Sequence, residues 1–276
     1  MLLNLLSGGI NMDNRPVGFM DSGVGGLTVV KMAQKLLPNE EIVFIGDEAR
    51  MPYGPRPTEE VVEFSKQMAA FLISKNVKAL VIACNTATSA AYEILQKELS
   101  IPVIGVILPG AMAAAEQTKN NKVGVIATLG TIKSNIYPKT LKTIQYSIES
   151  YPLACQEFVE IAEKNELDTP ETRVVVENKL KEFKQDQIDT LILGCTHFPL
   201  LSKNIQRAVG DEVTLIDPGV ETSKQLKNLL EDQDMLRDEK LEINDRYYST
   251  GNLVEFENVA RNFLEKEIVV QQVKID

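Results

Sequence analysis

Two cysteines, Cys84 and Cys195, each end an apolar run that breaks into small polar residues. The first context reads VKALVIACNTATSAA and the second IDTLILGCTHFPLL. In both, a leucine-rich and β-branched run stops at Ala-Cys or Gly-Cys, then passes through a hydroxyl or amide residue into a helix-like stretch. In an open parallel α/β sheet, the carboxyl ends of the strands are where ligands bind. Two thiols brought to such positions from opposite halves of a chain suit a reaction that needs an acid–base group on each face of one small substrate. A free thiol, with a pKa of about 8.5, is only a few per cent ionised at neutral pH, so each sulfur needs help from a neighbour. His197, the only histidine, follows Cys195 by two residues and is placed to give that help. The third cysteine, Cys155 in LACQEF, reads as a small buried hydrophobe.

Two further segments carry polar groups at strand ends. DSGVGGLTVV, residues 21–30, follows the first apolar run and opens a helix. Its glycines let backbone approach a ligand, and a helix N-terminus favours anions. It matches neither the GxGxxG dinucleotide fingerprint nor the GxxxxGK[ST] phosphate loop. Asp21 stands out in a loop suited to a carboxylate, which points to proton handling rather than binding. MPYGPRP, residues 51–57, is either a surface turn or a rigid cleft wall that presents Tyr53 and the Gly54 amide.

The elements that must position these groups alternate along the chain. Strand-like runs fall at 16–20, 41–46, 79–83, 102–106, 122–127, 147–153, 190–193 and 213–216, with a further strand and turn at 246–253. Helix-length stretches lie between them at 27–37, 58–76, 86–99, 108–119, 131–145, 171–186, 199–209 and 220–234. This alternation is the pattern of α/β proteins with mainly parallel sheets. The similarity of the two cysteine segments suggests two related halves, with no Pro/Gly/Ser-rich linker between them. The chain is expected to cross at VILPG and IDPGV, which inserts the second half within the first. The expected division is 1–107 plus 221–276 for the first α/β domain, whose closing helices come last in sequence, and 108–220 for the second.

The 276 residues, 44% apolar and 25% charged, are enough for a substantial core. A net charge of −10 argues against nucleic acid or an anionic membrane surface as partner. Three dispersed cysteines without any CxxC exclude a disulfide framework and a zinc knuckle, so no metal is expected. The opening MLLNLLSGGINMDNRP has an apolar stretch too short to span a membrane and no basic lead, unlike a signal peptide. Either Met1 or Met12 serves as the start in this reading, and reduced thiols fit a cytoplasmic protein.

DSGVGG, the PYG of residues 52–54, ACNTAT and GCTHFPLL occur in an order and spacing that resemble the cofactor-independent aspartate/glutamate racemase family. The similarity runs from about Arg15 onward. It implies two pseudo-symmetric α/β domains with the active site between them. The implied reaction interconverts L- and D-glutamate without a cofactor, supplying D-glutamate for peptidoglycan, with Cys84 and Cys195 as the acid–base thiols. By motif position, Asp21 assists Cys84 and His197 assists Cys195. A further acidic helper falls at Glu163, in a stretch that departs from the family pattern at Gln156 and Glu160, so Glu160 competes for the role. The implied substrate contacts are Ser22, Tyr53, Gly54, Asn85, Thr86 and Thr196, with Thr128 and Thr131 from the ATLGT segment. Glutamate is the expected small-molecule partner, and a homodimer the expected assembly. Two alternatives stay open: an aspartate racemase of the same family, and a non-catalytic amino-acid-binding protein with structural cysteines.

Overall fold

The computed structural model describes residues 12–238 and 240–275, and the opening segment through residue 11 lies outside it. The chain begins β1 (Val17–Asp21), α1 (Leu27–Leu36), β2 (Ile42–Gly46), α2 (Thr58–Ser74), β3 (Ala79–Ile82), α3 (Asn85–Glu98) and β4 (Val103–Gly105). It continues α4 (Ile107–Gln117), β5 (Lys122–Ala127), α5 (Leu129–Ser134), α6 (Ile136–Ile144), β6 (Glu149–Ala154) and α7 (Gln156–Glu163). Then come α8 (Pro170–Leu180), α9 (Phe183–Asp186), β7 (Thr190–Gly194), α10 (Ser202–Val209) and β8 (Thr214–Ile216). It closes with α11 (Pro218–Asp232), β9 (Arg246–Ser249), α12 (Leu253–Leu264) and β10 (Val270–Gln272).

Every described strand pairing is parallel, and the strands form two sheets. One runs β10-β9-β2-β1-β3-β4 and the other β6-β5-β7-β8. This is an α/β protein whose central strands are buried on both faces, which is why β1, β2, β3 and β7 read as unbroken apolar runs. Alternate residues still part to opposite sides. Phe19 and Phe44 pack under α1 and α12, while Met20, Ile45 and Leu80 pack under α2 and α3.

The same local order, second-first-third-fourth, recurs in both sheets. Each first strand is flanked by the second on one side and the third on the other, so the crossovers diverge there and leave a crevice at the carboxyl ends. Asp21 and Thr128 occupy that end of the two first strands, and Cys84 and Cys195 that of the two third strands.

The chain leaves the first sheet through α4, between β4 and β5, and returns through α11, between β8 and β9. The two crossings touch. A Cβ added at Gly110 would lie 3.0 Å from the Pro218 ring, so glycine permits the approach of the two Pro-Gly turns. The single helices expected at 131–145 and 171–186 are each two. Asn135 breaks the first by adopting a left-handed conformation at φ 56°. The second stops at Lys181 and resumes as α9. Helix α12 is one of the closing helices expected last in sequence, whereas helix α7 and strand β10 were not anticipated.

Candidate active site

Cys84 is the N-cap of α3, and its sulfur accepts the Ala87 N–H at 3.4 Å. The thiol also reaches Ser22 Oγ at 3.6 Å. Apolar β3 drives the chain into the sheet, and the polar ACNT turn brings the sulfur out at its carboxyl end. Cys195 emerges from β7 in the same way, with Sγ 3.7 Å from His197 Nδ1. The other imidazole nitrogen, Nε2, is hydrogen-bonded to Glu163 at the end of α7. Glu160, the competing acid, is exposed on the same helix. Both sulfurs line one cavity of about 30 Å³, room for a water or two.

Ser22, Tyr53, Gly54, Asn85, Thr86, Thr128 and Thr196 all line this cavity. Thr131 stands behind it, with Oγ1 3.3 Å from Thr86 Oγ1 and 3.2 Å from Thr128 Oγ1. Thr86 and Thr128 are themselves 2.8 Å apart, which ties the two halves across the cleft. Tyr137 makes a second tie by donating to Asn85 Oδ1 at 2.7 Å, and Thr28 a third by donating to the Thr196 carbonyl at 3.0 Å. The segment at 51–57 lines the cavity with residues 51–54 and turns outward at Pro55. Tyr53 is 1% exposed and donates its hydroxyl to buried Asp47, which also holds Arg50 at 2.7 Å and Thr250 at 2.9 Å. The tyrosine hydroxyl is therefore spoken for, and its neighbour Gly54 is left to face the cavity.

No lysine or arginine is among the cavity's lining residues. A substrate carboxylate would meet neutral donors and the amino ends of α3 and α7, where the helix dipoles favour negative charge. Among the described residues, no three His, Cys, Asp or Glu side chains group as a metal site.

The electrostatics of the two thiols differ. Burial, then the nearby Asp21 charge, pushes the Cys84 thiol up to about 12, so it rests protonated. Asp21 is itself fully buried at the end of β1, and burial pushes its carboxyl up to about 6. One oxygen accepts the Gly23 N–H at 3.0 Å and the Ser22 hydroxyl at 3.4 Å, while Oδ2 accepts no hydrogen bond. Burial works to lower the His197 pKa, but its hydrogen bonds and charge interactions with Cys195 and Glu163 overcome that and hold it well above the ordinary histidine value. An imidazolium facing Cys195 is a counter-charge for that sulfur whenever it is a thiolate.

Several cavity or neighbouring residues were not singled out as site residues from the sequence. Met51, Pro52, Gln156, Val159 and Gly194, together with the expected His197, complete the lining. Glu48 accepts the Val24 N–H at 2.6 Å, and burial, then the Glu163 charge, pushes it up to about 7. For α7 a signal existed: Gln156, Val159 and Glu163 are spaced i, i+3, i+7 and so share one helix face.

The comparisons agree with this geometry. The family model described as Asp/Glu/Hydantoin racemase matches residues 27–226. The chain is 69% identical over 265 residues to a glutamate racemase of Pediococcus pentosaceus, covering 96% of this chain and all of that one. It superposes with a TM-score of 0.91 on a glutamate racemase isoform from Bacillus anthracis, at 43% identity and with 94% and 97% of the two chains covered. It superposes with a TM-score of 0.90 on a glutamate racemase from Francisella tularensis in complex with D-glutamate, at 39% identity and with 96% and 99% covered. The chain belongs to the Asp/Glu/hydantoin racemase family.

Proposed function

We propose that the protein is a glutamate racemase that moves the Cα proton between two thiols. The observation that carries this reading is the pair of buried cysteines, one from each sheet, lining a single cavity with a different acid–base partner behind each. Racemisation removes the α-proton on one face and returns a proton on the other. A single base would have to pass around the substrate, whereas two fixed groups need only exchange roles. The thiolate takes the proton, the opposite thiol gives one, and the enzyme is left in the mirror protonation state.

From L-glutamate, Cys195 is the base by the family resemblance, with imidazolium His197 balancing the thiolate before the proton arrives. Glu163 holds the ring in place and keeps it charged. Cys84, resting protonated, reprotonates the opposite face. For D-glutamate the roles reverse, with Cys84 as the base and Asp21, raised to about 6 by burial and linked to the thiol through Ser22, assisting it. Closing out water strengthens each of these interactions and limits exchange of the carbanion with solvent. No step calls for a cofactor.

The same reading assigns residues 1–107 and 221–276 to one domain and 108–220 to the other, and makes the enzyme a cytoplasmic source of D-glutamate for peptidoglycan. A homodimer is the assembly it carries. The test is a chiral assay with L-glutamate, then L-aspartate, without added cofactor, on the wild type and on Cys84→Ala and Cys195→Ala. The wild type is expected to racemise glutamate in preference to aspartate. Each variant is expected to lose at least a thousandfold in rate with its Tm little changed. No optical change with either amino acid would favour a binding protein, and substantial activity in either variant would remove that thiol from the mechanism.

A further inference from the structure

Gln156 is the first residue of α7, and it lines the cavity. Its Oε1 is buried and has no hydrogen-bond partner. A buried carbonyl oxygen left unpaired costs free energy that a native site rarely bears without a use. The group lies where polar atoms of three elements converge. A Cβ added at Gly54 would sit 3.0 Å from Gln156 Oε1 and 2.9 Å from Thr128 Cβ, and Thr128 is bonded to Thr86 across the cleft. Seven residues on, the same face of α7 ends at Glu163, which grips His197. One helix therefore reaches both the proton-transfer machinery and the far wall of the cavity.

A dicarboxylic amino acid needs donors for two carboxylates, and the cavity lining holds no lysine or arginine, its one imidazolium, His197, being engaged with Cys195 and Glu163. The Gly54–Thr86–Thr128 end offers one backbone amide and hydroxyls that are already partly engaged with one another. A carboxamide is the largest neutral donor there, and rotation about its last bond turns NH2 in place of oxygen toward the cavity.

We propose that Gln156 is a substrate-binding residue whose carboxamide donates to the carboxylate held at the Gly54–Thr86–Thr128 end of the cavity. The proposal rests on the racemase reading above. It makes Gln156 a binding group that contributes to KM and leaves the proton transfer to the thiols.

The test compares Gln156→Leu and Gln156→Glu with the wild type, reading kcat and KM for both glutamate enantiomers and the Kd of D-glutamate by calorimetry. Loss of one hydrogen bond to a charged group corresponds to roughly a tenfold change or more. Gln156→Leu is therefore expected to raise KM and Kd about tenfold, with kcat within about threefold and Tm unchanged. Gln156→Glu is expected to weaken binding further at pH 8 and to recover part of the loss at pH 5, where the new carboxyl takes up a proton. Unchanged KM and Kd in an active, folded Gln156→Leu enzyme would overturn the proposal, as would a fall in kcat alone. An inactive wild type would instead count against the racemase reading.

Discussion

The Asp21 carboxyl is the clearest case of a group kept in an unfavourable setting. It is fully buried, has one oxygen without a partner, and has its pKa pushed up to about 6 by burial. In the unfolded chain an aspartate titrates near pH 4, so between about pH 4 and 6 the native state binds the proton more tightly. Stability therefore falls as pH rises through that window, and the loss persists above it. Asp21→Asn exchanges the buried charge for a neutral amide of the same shape. It is expected to be more stable than the wild type by roughly 1–3 kcal/mol at pH 8, with the gain vanishing below about pH 4. Racemisation is expected to fall at least tenfold, the trade of activity for stability seen when a strained functional charge is removed. Urea denaturation at pH 4 and pH 8 decides it. Equal midpoints for the two proteins at both pH values would mean that Asp21 is not destabilised in the fold.

At the scale of elements, the site depends on close packing of the loop before α1. A Cβ added at Gly25 would lie 2.5 Å from Thr196 Oγ1 and 2.6 Å from His197 Cε1. The loop from the first sheet thus touches the Cys195 turn of the second with no side chain between. Gly25→Ala is expected to displace His197 and Thr196 and to reduce kcat/KM at least tenfold, while far-UV circular dichroism stays unchanged. Full activity in this variant would mean that the turn tolerates displacement. How much of this was legible in the sequence follows from the physics of each element. Strands β1, β2, β3 and β7 are unbroken apolar runs because both faces are buried, and the thiols at their ends could be read directly. Helix α7 is short, and its three glutamates interrupt its apolar residues, so its periodicity is weak in the sequence. Strand β10 shows the pattern of an edge, with one buried and two exposed residues, and the sheet rather than its own sequence makes it a strand. The breaks at Asn135 and Lys181 depend on local backbone geometry that a periodicity argument smooths over. Glu48 was invisible for another reason: its tie to Val24 joins residues 24 apart, and no local spacing encodes it.

For the molecule as a whole, each half supplies one thiol at the carboxyl end of its third strand, and the two-thiol account puts the substrate between them. The cavity of about 30 Å³ has room for a water or two, so the two-thiol account requires the site to open when an amino acid enters. The hydrogen bonds of Thr86 with Thr128, of Tyr137 with Asn85 and of Thr28 with Thr196 are the ties that span the cleft. The two crossings, packed against each other at Gly110 and Pro218, are the only covalent links between the sheets among the described residues and the natural place for that movement. A closed cleft with one thiol on each side makes a specific claim about where protons go. The direct measurement is racemisation of L-glutamate in heavy water, followed to a few per cent conversion, with deuterium at Cα read separately in each enantiomer. A protonated thiol exchanges with solvent before substrate binds, so the first D-glutamate formed is expected to carry deuterium. The remaining L-glutamate is expected to keep its protium. D-glutamate that retains the original proton, or L-glutamate that exchanges as fast as product forms, would mean that one base serves both faces and would contradict the two-thiol account.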